Sequence, residues 1–408
     1  MSDRYAVISS DCHGGAQLLE YRPYLPSSLY DEFDAWAQQY AVPFEDLRGP
    51  DADQNWSSDR RLRDMDAEGV AGEVIYPNTI PPFFPRTSLV GQPPVGSRDG
   101  LDKKWVGLQA HNRWLADFVA LAPERRAGIA QIMLHDVDAM VAEVRWAKEH
   151  GLRGGVLLPG TPPGGDYEPI WSPIYEPLWE ACEELGMPVN IHGGGGGPYY
   201  GDDEMALVMF LLEVPWWAHR SLWHLIFSGV LERHADLQLV YAEQGTAWVP
   251  ERLAELDHHF RRLRDTSSGS QESMWGGPVR ALSLTPSEYW ERQCHIGCSF
   301  LRPSEAKLRY DVGVDKLMFG TDYPHVEATS PFTREALRAT FSDIPEAEVR
   351  AILGTNAAAL YGFDLAALQP LVDRIGPTVD EVALPLDAVP EGAIKCPAFD
   401  DWLKQQAA

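Results

Sequence analysis

Short apolar runs recur along this chain, and several of them end at an acidic or histidine side chain. Four such runs occupy residues 5–10, 188–191, 237–242 and 316–321. The residues that follow them directly are Asp11, His192, Glu243 and Asp322. Consecutive apolar or β-branched positions are typical of strands buried on both faces, as in a parallel sheet. The pattern therefore predicts parallel strands whose carboxyl ends carry the chemistry.

Eight predicted strands alternate with helical segments along most of the chain. The strands are predicted near residues 5–10, 73–77, 128–132, 155–159, 189–192, 237–243, 294–300 and 316–322. This alternation favours a (β/α)₈ TIM barrel, and no Gly-x-Gly-x-x-Gly follows the first strand to favour a doubly wound sheet. We expect a barrel over residues 1–363 and a Pro-rich C-terminal extension over 364–408. Long inserts are predicted at about 14–57, 78–104 and 265–286, and one helix is predicted over 215–234.

The amino-acid composition limits the classes of molecule that this chain is suited to bind. The chain has 408 residues and 34 Lys and Arg against 60 Asp and Glu, for a net charge of −26. Such an acidic chain is a poor match for nucleic acid or an anionic membrane surface. No apolar run approaches the roughly 18 residues of a membrane span, and the five cysteines are scattered rather than arranged as a disulfide framework. We expect a cytoplasmic protein that acts on a small molecule.

The side chains at the strand ends are metal ligands or acid/base groups by residue type. Asp11 and His13 are two residues apart, so a strand would point both to the same face. His192 precedes five glycines, which let the backbone approach a ligand closely. Asp322 is a ligand, a general base or both, and Glu243 is either a ligand or an acid that holds a basic side chain. His325 is a ligand, a proton shuttle or an anchor for its loop.

Several motifs together resemble the amidohydrolase superfamily. They are Asp11-x-His13, Glu73-Val-Ile-Tyr-Pro77, Gly151-Leu-Arg-Gly-Gly-Val156, Pro188-Val-Asn-Ile-His192, Ser228–Arg233, Glu243–Trp248, Met318–His325 and Asn356–Tyr361. The chain is similar to the amidohydrolase-2 branch, which includes decarboxylases of the aminocarboxymuconate-semialdehyde type. The resemblance covers about residues 5–363. It implies a barrel that holds metal with Asp11, His13, His192 and Asp322.

One position departs from the pattern of that superfamily. Many members have a histidine at the end of strand six, where this chain has Glu243, and strand four supplies neither Lys nor Glu as a metal bridge. With Glu243 added, the ligand set would be two histidines and three carboxylates. Such a set suits iron or manganese better than zinc, which stays the alternative ion, and we expect two ions. In its strand-six glutamate the chain resembles dinuclear non-haem iron or manganese monooxygenases of this fold.

These features lead to a slightly favoured function and an alternative. The favoured one is O₂-dependent hydroxylation of a small organic acid or its derivative. The alternative is metal-dependent hydrolysis of an amide, ester or lactone, or non-oxidative decarboxylation, and a non-enzymatic partner subunit is the third reading. The predicted catalytic residues are Asp322, Glu243 and His325; the predicted substrate-binding residues are Trp248, Tyr323 and Arg302. The long inserts and the tail predict a homodimer or homo-oligomer.

Overall fold

Parallel strands joined by helices build this molecule. The computed structural model describes residues 3–39, 47–85, 98–163, 166–198, 200–201 and 203–407. Residues 40–46 and 86–97, which belong to two of the predicted inserts, lie outside the described residues. The strands are β1 (Val7–Gly14), β2 (Val70–Pro77), β3 (Arg126–Gly128), β4 (Ala130–Gln131), β5 (Val156–Leu157), β6 (Val189–His192), β7 (Leu239–Ala242), β8 (Cys294–Ser299) and β9 (Leu317–Gly320).

The strands form eight staves of a barrel, as predicted. β1, β2 and β3 pair in that order, and β4 to β9 pair in sequence, all in parallel. β3 and β4 are two parts of one stave, separated only at Ile129, whose N–H donates to the Ile75 carbonyl of β2. The predicted (β/α)₈ TIM barrel is confirmed.

Hydrogen bonds between β1 and the residues after β9 close the barrel. The Asp322 N–H donates to the Asp11 carbonyl at 2.9 Å, and the His13 N–H donates to the Tyr323 carbonyl at 2.7 Å. Below them, the Thr321 N–H donates to Ser9 Oγ at 2.8 Å. Because the side chains at this seam belong to the first and last staves, the closure brings Asp11, His13 and Asp322 together.

Helices cover the outside of the staves. They are α1 (Tyr30–Gln39), α2 (Ser58–Glu68), α3 (Arg98–Ala120), α4 (Val137–Glu149), α5 (Glu176–Leu185), α6 (Glu204–Phe227), α7 (Val230–Arg233), α8 (Trp248–Arg264), α9 (Gln271–Trp275), α10 (Pro286–Gln293), α11 (Pro303–Ala306), α12 (Arg309–Val312), α13 (Thr333–Phe341), α14 (Glu346–Arg350), α15 (Asn356–Tyr361), α16 (Leu365–Ile375), α17 (Val379–Val382) and α18 (Asp400–Ala407). Shorter 3₁₀ turns occupy Leu18–Tyr24, Ser27–Leu29, Ala52–Asn55, Pro173–Tyr175, Pro278–Ala281, Val314–Lys316, Ala393–Lys395 and Pro397–Phe399, and a π turn occupies Ala351–Thr355.

Three helices differ from the sequence-based expectation. α6 begins at Glu204 rather than near residue 215, because the Asp203 carboxylate caps it by accepting from the Ala206 N–H, and the helix continues through Pro215. α3 begins at Arg98, inside the predicted 78–104 loop, and α9 lies inside the predicted 265–286 insert. In each case a stretch expected to be irregular contains part or all of a helix.

A buried ion triad connects the first three staves. Arg61 of α2 donates to Glu73 Oε2 at 2.5 Å, Arg126 Nε donates to Glu73 Oε1 at 3.1 Å, and all three side chains are buried. Burial opposes the ionisation of Glu73, but the two guanidinium groups outweigh it and hold the pKa of its carboxyl below the usual range. Arg61 Nη1 also donates to the His13 carbonyl at 2.6 Å. The triad therefore fixes the end of β1 where the site is built.

Polar side chains seal the barrel interior beneath the site. Asn190 Oδ1 accepts from the hydroxyls of Tyr76 at 3.2 Å and Tyr361 at 3.0 Å. Its amide nitrogen donates to the carbonyls of Gly154 and Val156. All three side chains are buried, and Tyr361 comes from α15. This cross-link fills the centre of the barrel with hydrogen-bonded groups.

The C-terminal residues pack on the barrel of their own chain. Leu368 and Val372 of α16 join a cluster with Val74, and the Tyr5 N–H donates to the Pro377 carbonyl. Further on, Phe399 packs with Ala336 of α13. The boundary at residue 363 stays a prediction. None of the helices in the described ranges combines the length and apolarity that crossing a membrane requires.

We predict that Glu73→Gln destabilises the protein by about 3–5 kcal/mol, because it leaves two buried guanidinium groups without a counter-charge. The measurement is the free energy of unfolding from urea titration. Asp34→Asn is the matched control, since Asp34 pairs with Arg22 on the surface, where both side chains are 40% exposed. The control should cost less than about 1 kcal/mol. Equal losses in the two variants would contradict a stabilising role for the triad.

Candidate metal centre

The first stave contributes a buried carboxylate and a buried imidazole. Asp11 and His13 lie on the same face of β1, with the His13 Nε2 atom 3.5 Å from Asp11 Oδ1. The Ser299 hydroxyl of β8 donates to Asp11 Oδ2. Asp11 therefore has one oxygen held by the protein and one, Oδ1, directed at the histidines.

His13 is oriented by the backbone of the neighbouring stave. Its Nδ1 lies 3.3 Å from the Pro77 carbonyl, so that nitrogen is the one that carries the proton and Nε2 keeps its lone pair. Nε2 lies 3.3 Å from Asp322 Oδ1. Burial, together with the nearby His325 and His192, holds the pKa of His13 well below its usual range. A neutral imidazole with a lone pair pointing at carboxylates is the form that binds a metal ion.

His192 ends β6 in a matching arrangement. Its Nδ1 lies 2.7 Å from the Gly193 carbonyl, and its Nε2 lies 3.6 Å from Asp11 Oδ1 and 3.4 Å from Glu243 Oε2. Burial favours the neutral ring, but the Glu243 and Asp11 carboxylates outweigh it and raise the pKa of His192 to about 9, so a metal ion would displace a proton from this ring. A Cβ at position 193 would lie 2.8 Å from the Glu243 carbonyl, so a glycine is needed for this approach.

Two acids at the strand ends adopt left-handed backbone conformations. Glu243 has φ 55° and Asp322 has φ 62°, a region that costs a residue other than glycine about 1–3 kcal/mol. Such strain is concentrated at functional sites, where it directs a side chain inward. Asp322 is fully buried and Glu243 half-buried. Burial and the carboxylates of Glu243 and Asp11 raise the pKa of Asp322 well above its usual range.

The loop after β9 supplies two more candidate groups. The His325 ring packs edge-on against His13 with centroids 4.2 Å apart, and its ligand atom groups with those of His13 and Asp322. Glu327, which the sequence analysis missed, groups with Glu243 and Asp322, their ligand atoms lying within 4.8 Å of one another. Its only sequence signal is the position two residues after His325, and a loop acid without a strand in front of it does not stand out.

The donor atoms fit a divalent metal ion. Asp11 Oδ1, His13 Nε2, His192 Nε2 and both oxygens of Asp322 are buried and lack a hydrogen-bond partner among the described residues. Metal–ligand bonds of about 2.1 Å place neighbouring ligand atoms roughly 3.0–3.4 Å apart. The measured 3.3–3.6 Å separations are close to these values and longer than good hydrogen bonds. The structure thus brings together all five predicted ligands, Asp11, His13, His192, Glu243 and Asp322.

The three predicted substrate-binding residues are each engaged within the protein. Trp248 stacks on His219 with centroids 3.8 Å apart, and its Nε1 donates to the Gly245 carbonyl. The Tyr323 hydroxyl donates to Asp64 at 2.6 Å. Arg302 Nε donates to Glu305 at 3.0 Å. A role for these residues in substrate binding stays a prediction.

Comparison with known proteins places the fold and the cluster in context. The family model described as amidohydrolase matches residues 34–363. A 2-amino-3-carboxymuconate-6-semialdehyde decarboxylase of Dictyostelium discoideum is 24% identical over 76% of this chain and 77% of its own length. A gamma-resorcylate decarboxylase of Rhizobium sp. (strain MTP-10005) is 24% identical over 75% of this chain and 87% of its own length.

Among solved structures, a 5-carboxyvanillate decarboxylase from Novosphingobium aromaticivorans DSM 12444, complexed with manganese and 4-hydroxy-3-methoxy-5-nitrobenzoic acid, has a TM-score of 0.64 to this chain. It is 19% identical, and the match covers 89% of this chain and 99% of that one. The resemblance inferred from the sequence motifs is confirmed. The two curated relatives are decarboxylases and favour the alternative function over hydroxylation, whereas the solved structure shows the fold.

We predict that His192→Ala lowers the affinity for Mn(II) at least about tenfold, because it removes a nitrogen that the described neighbours do not replace. The measurement is metal-to-protein stoichiometry after dialysis against limiting Mn(II). The control is His219→Ala, since His219 is also buried with an unpartnered Nε2 but lies on α6 against Trp248. Full occupancy in His192→Ala, or equal loss in both variants, would show that the ligand assignment is wrong.

Proposed function

The chain belongs to the amidohydrolase family, and from that membership we propose that it catalyses metal-dependent, non-oxidative decarboxylation of a small aromatic or conjugated acid. It is a metal-dependent enzyme of the amidohydrolase fold. The observation that carries the proposal is the buried set of unpartnered donor atoms at the barrel mouth, on Asp11, His13, His192 and Asp322. The decarboxylases to which the chain is similar support the choice of reaction.

We assign the divalent ion to Asp11, His13, His192 and Asp322, with Glu243 beside them. Manganese is the ion we propose, because this set is rich in carboxylate oxygen and a decarboxylase of the same fold is complexed with manganese. The acidic group of Glu243, Asp322 and Glu327 is the proposed place for a second ion. Iron would be the ion if the reaction were hydroxylation, and zinc is the alternative to manganese.

When bound, the metal ion supplies a Lewis acid that holds and polarises the oxygens of the acid substrate. In the proposed reaction, the carbon that bears the carboxylate takes up a proton. The bond to the carboxylate carbon then breaks, carbon dioxide leaves, and the electron pair stays on the substrate. Asp322 is the proposed proton donor, because it is fully buried at the centre of the cluster and its oxygens have no other hydrogen-bond partner among the described residues.

His325 and Glu243 have supporting roles in this proposal. His325 lies on the loop directly after Asp322, half-buried beside His13, where it can pass a proton between solvent and the cluster. Glu243 Oε2 lies 3.4 Å from the Nε2 atom of His192, so its carboxylate is placed beside the proposed ion, while the Gly193 carbonyl orients the ring through Nδ1. No oxidant is consumed in this scheme, in contrast to the hydroxylation predicted from the carboxylate-rich ligand set.

We predict that the Mn(II)-loaded protein releases CO₂ from at least one of three acids under nitrogen: 2,6-dihydroxybenzoate, 5-carboxyvanillate or 2-amino-3-carboxymuconate-6-semialdehyde. Asp322→Asn should lower the rate at least about 100-fold, because it removes the proton donor. Asp315→Asn is the control, since Asp315 lies just before β9 at the opposite end of the stave and its side chain is 73% exposed. Turnover that needs oxygen would favour hydroxylation, and water addition without CO₂ would favour hydrolysis.

The oligomeric state has its own structural support. The N-terminal half of α6 is apolar and exposed, with Leu211 67% and Leu212 70% exposed, and Met205, Val208 and Trp216 beside them. Monomers rarely expose a contiguous stripe of this kind. Residues 203–219 contain no lysine or arginine, and the nearest basic side chain, Arg220, lies over Trp216 at one end of the stripe, so most of the stripe carries no positive charge for an anionic membrane surface. We propose that a second copy of the chain covers it, since a two-fold axis places such a stripe against itself.

We predict that the wild-type protein is a dimer at about 10 μM in sedimentation velocity and that the double variant Leu211→Asp/Leu212→Asp is a monomer. Carboxylates in an apolar interface lose hydration without gaining partners, which favours dissociation. Leu121→Asp is the control, because Leu121 is equally exposed, at 66%, but follows α3. A monomeric wild type, or a dimer in the double variant, would refute this interface.

A further inference from the structure

A small cavity lies behind the glycine loop that follows His192. Its floor is the end of β5 and the residue before His192, Ile191, and its roof is a face of α6 that carries Trp217, Arg220, Ser221 and His224. The cavity measures about 30 Å³, which admits the centres of roughly two or three water-sized groups. A group of that size is a carboxylate head or a similar planar anion.

Glycine backbone separates this cavity from the metal centre. Gly160 and Gly196 come so close that a Cβ on Gly160 would lie 1.8 Å from the Gly196 Cα. Gly195 and Gly196 line the cavity, while Gly193, in the same run, touches Glu243 of the metal centre. The run of glycines between residues 193 and 197 therefore faces the metal cluster on one side and the cavity on the other.

Arg220 gives the cavity an unbalanced positive charge. Its guanidinium lies over the rings of Trp217 and Trp216, 4.7 and 5.3 Å from their centroids. No carboxylate of the described residues pairs with it: burial lowers the pKa of Arg220 with no acid opposing the shift, and the residues that line the cavity include no Asp or Glu. Arg153 and Arg264 also lack a carboxylate partner among the described residues, but each of them donates to a backbone carbonyl.

The other groups of the cavity complete a site for an anion. Burial, and secondarily Arg220, lower the pKa of His224 to about 4, so its ring is neutral at pH 7 and can donate one N–H. The Ser221 hydroxyl already donates to the Ala218 carbonyl at 3.0 Å, so Arg220 and His224 are the donors that the cavity offers to an anion. A half-buried guanidinium over aromatic rings, without an acid of its own, is the chemistry that binds a planar oxyanion.

We propose that this cavity is a binding site for a small planar oxyanion, a carboxylate or bicarbonate, held by Arg220. The anion-binding claim stands without the proposed decarboxylation, whereas the origin of the anion rests on it. One source is the carboxylate of a further acid of the substrate's class, which would enter from solvent because the glycine backbone separates the cavity from the metal centre. The other is the released carbon dioxide, which takes up water and gives up a proton to become bicarbonate.

The experiment measures tryptophan fluorescence of the full-length protein during titration with sodium formate, bicarbonate or benzoate, at pH 7.5 and constant ionic strength set with NaCl. Trp216 and Trp217 lie against Arg220, so an anion on the guanidinium changes their emission. We expect saturable binding with a Kd on the order of 1–10 mM, the range of a ligand with only a few atoms. The titrations are run with Mn(II)-loaded and with metal-free protein, and binding should persist in both.

Arg220→Gln should weaken this binding at least tenfold, and Arg220→Lys should weaken it less because the charge remains. Arg252→Gln is the control, since Arg252 also lies over a tryptophan, Trp223, but pairs with Glu255 outside the cavity. Far-UV circular dichroism and metal content of each variant show whether it is folded.

The titrations with different anions distinguish the two possible sources of the bound anion. Binding of formate and bicarbonate without benzoate supports a site for released product, and benzoate binding with the same dependence on Arg220 supports a site for the carboxylate of a further acid of the substrate's class. The proposal is overturned if no anion gives a saturable change beyond the NaCl control, if Arg220→Gln binds as tightly as the wild type, or if binding disappears with the metal. Failure of CO₂ release in the assay above leaves these titrations interpretable, because they need no turnover.

Discussion

The seam between the first and last staves is the interaction on which the site depends. Backbone hydrogen bonds from Asp322 to Asp11 and from His13 to Tyr323 hold two distant parts of the chain in register. Inside the seam, Ser9 Oγ lies 3.0 Å from Thr321 Oγ1, and from outside Arg61 holds the His13 carbonyl. A slip of one residue would turn Asp11 and His13 to the other face of the wall, so the same bonds that close the barrel fix the ligand atoms.

Three clusters of buried or half-buried charged groups differ in whether the protein itself supplies the opposite charge. Beneath the first staves, Glu73 is balanced by two arginines and is fully satisfied. At the barrel mouth the acids Asp11, Glu243 and Asp322 lie beside imidazoles and beside one another, and Asp11 Oδ1 and both oxygens of Asp322 have no donor within the described residues. The first arrangement is complete without a ligand, whereas the second gains its counter-charge from a cation. Behind the glycine loop the unbalanced charge is positive instead of negative, because Arg220 has no carboxylate partner among the described residues.

The sequence contained enough to predict the barrel and most of the cluster, for reasons visible in single residues. Asp11 and His13 follow a buried run, and period-two alternation then places them on one face. Glu327 was not predicted because it lies on a loop, and a loop has no sequence periodicity from which the direction of a side chain can be inferred. The start of α6 was missed because Pro215 resembles a helix beginning, while the Asp203 cap precedes an apolar stretch without polar alternation. Arg220 was not singled out, since only packing shows that an arginine lacks an acid.

The reaction was harder to infer than the fold. Glu243 was given weight because a carboxylate in place of histidine changes which ions a site prefers. The same donor set, however, serves either oxidative or non-oxidative chemistry, and ligand identity alone does not separate them. The preference for non-oxidative decarboxylation over hydroxylation comes from the similar decarboxylases and not from the residue types of the ligands.

The hydrogen bonds of Asn190 with Tyr76 and Tyr361 affect the route by which a substrate can approach the site and its products can leave. Buried, hydrogen-bonded side chains fill the barrel beneath the metal ligands, so the described side chains close the barrel centre on that side. A substrate that reaches the proposed metal site therefore approaches from the carboxyl ends of the strands, and the products of its cleavage leave on that same side of the barrel.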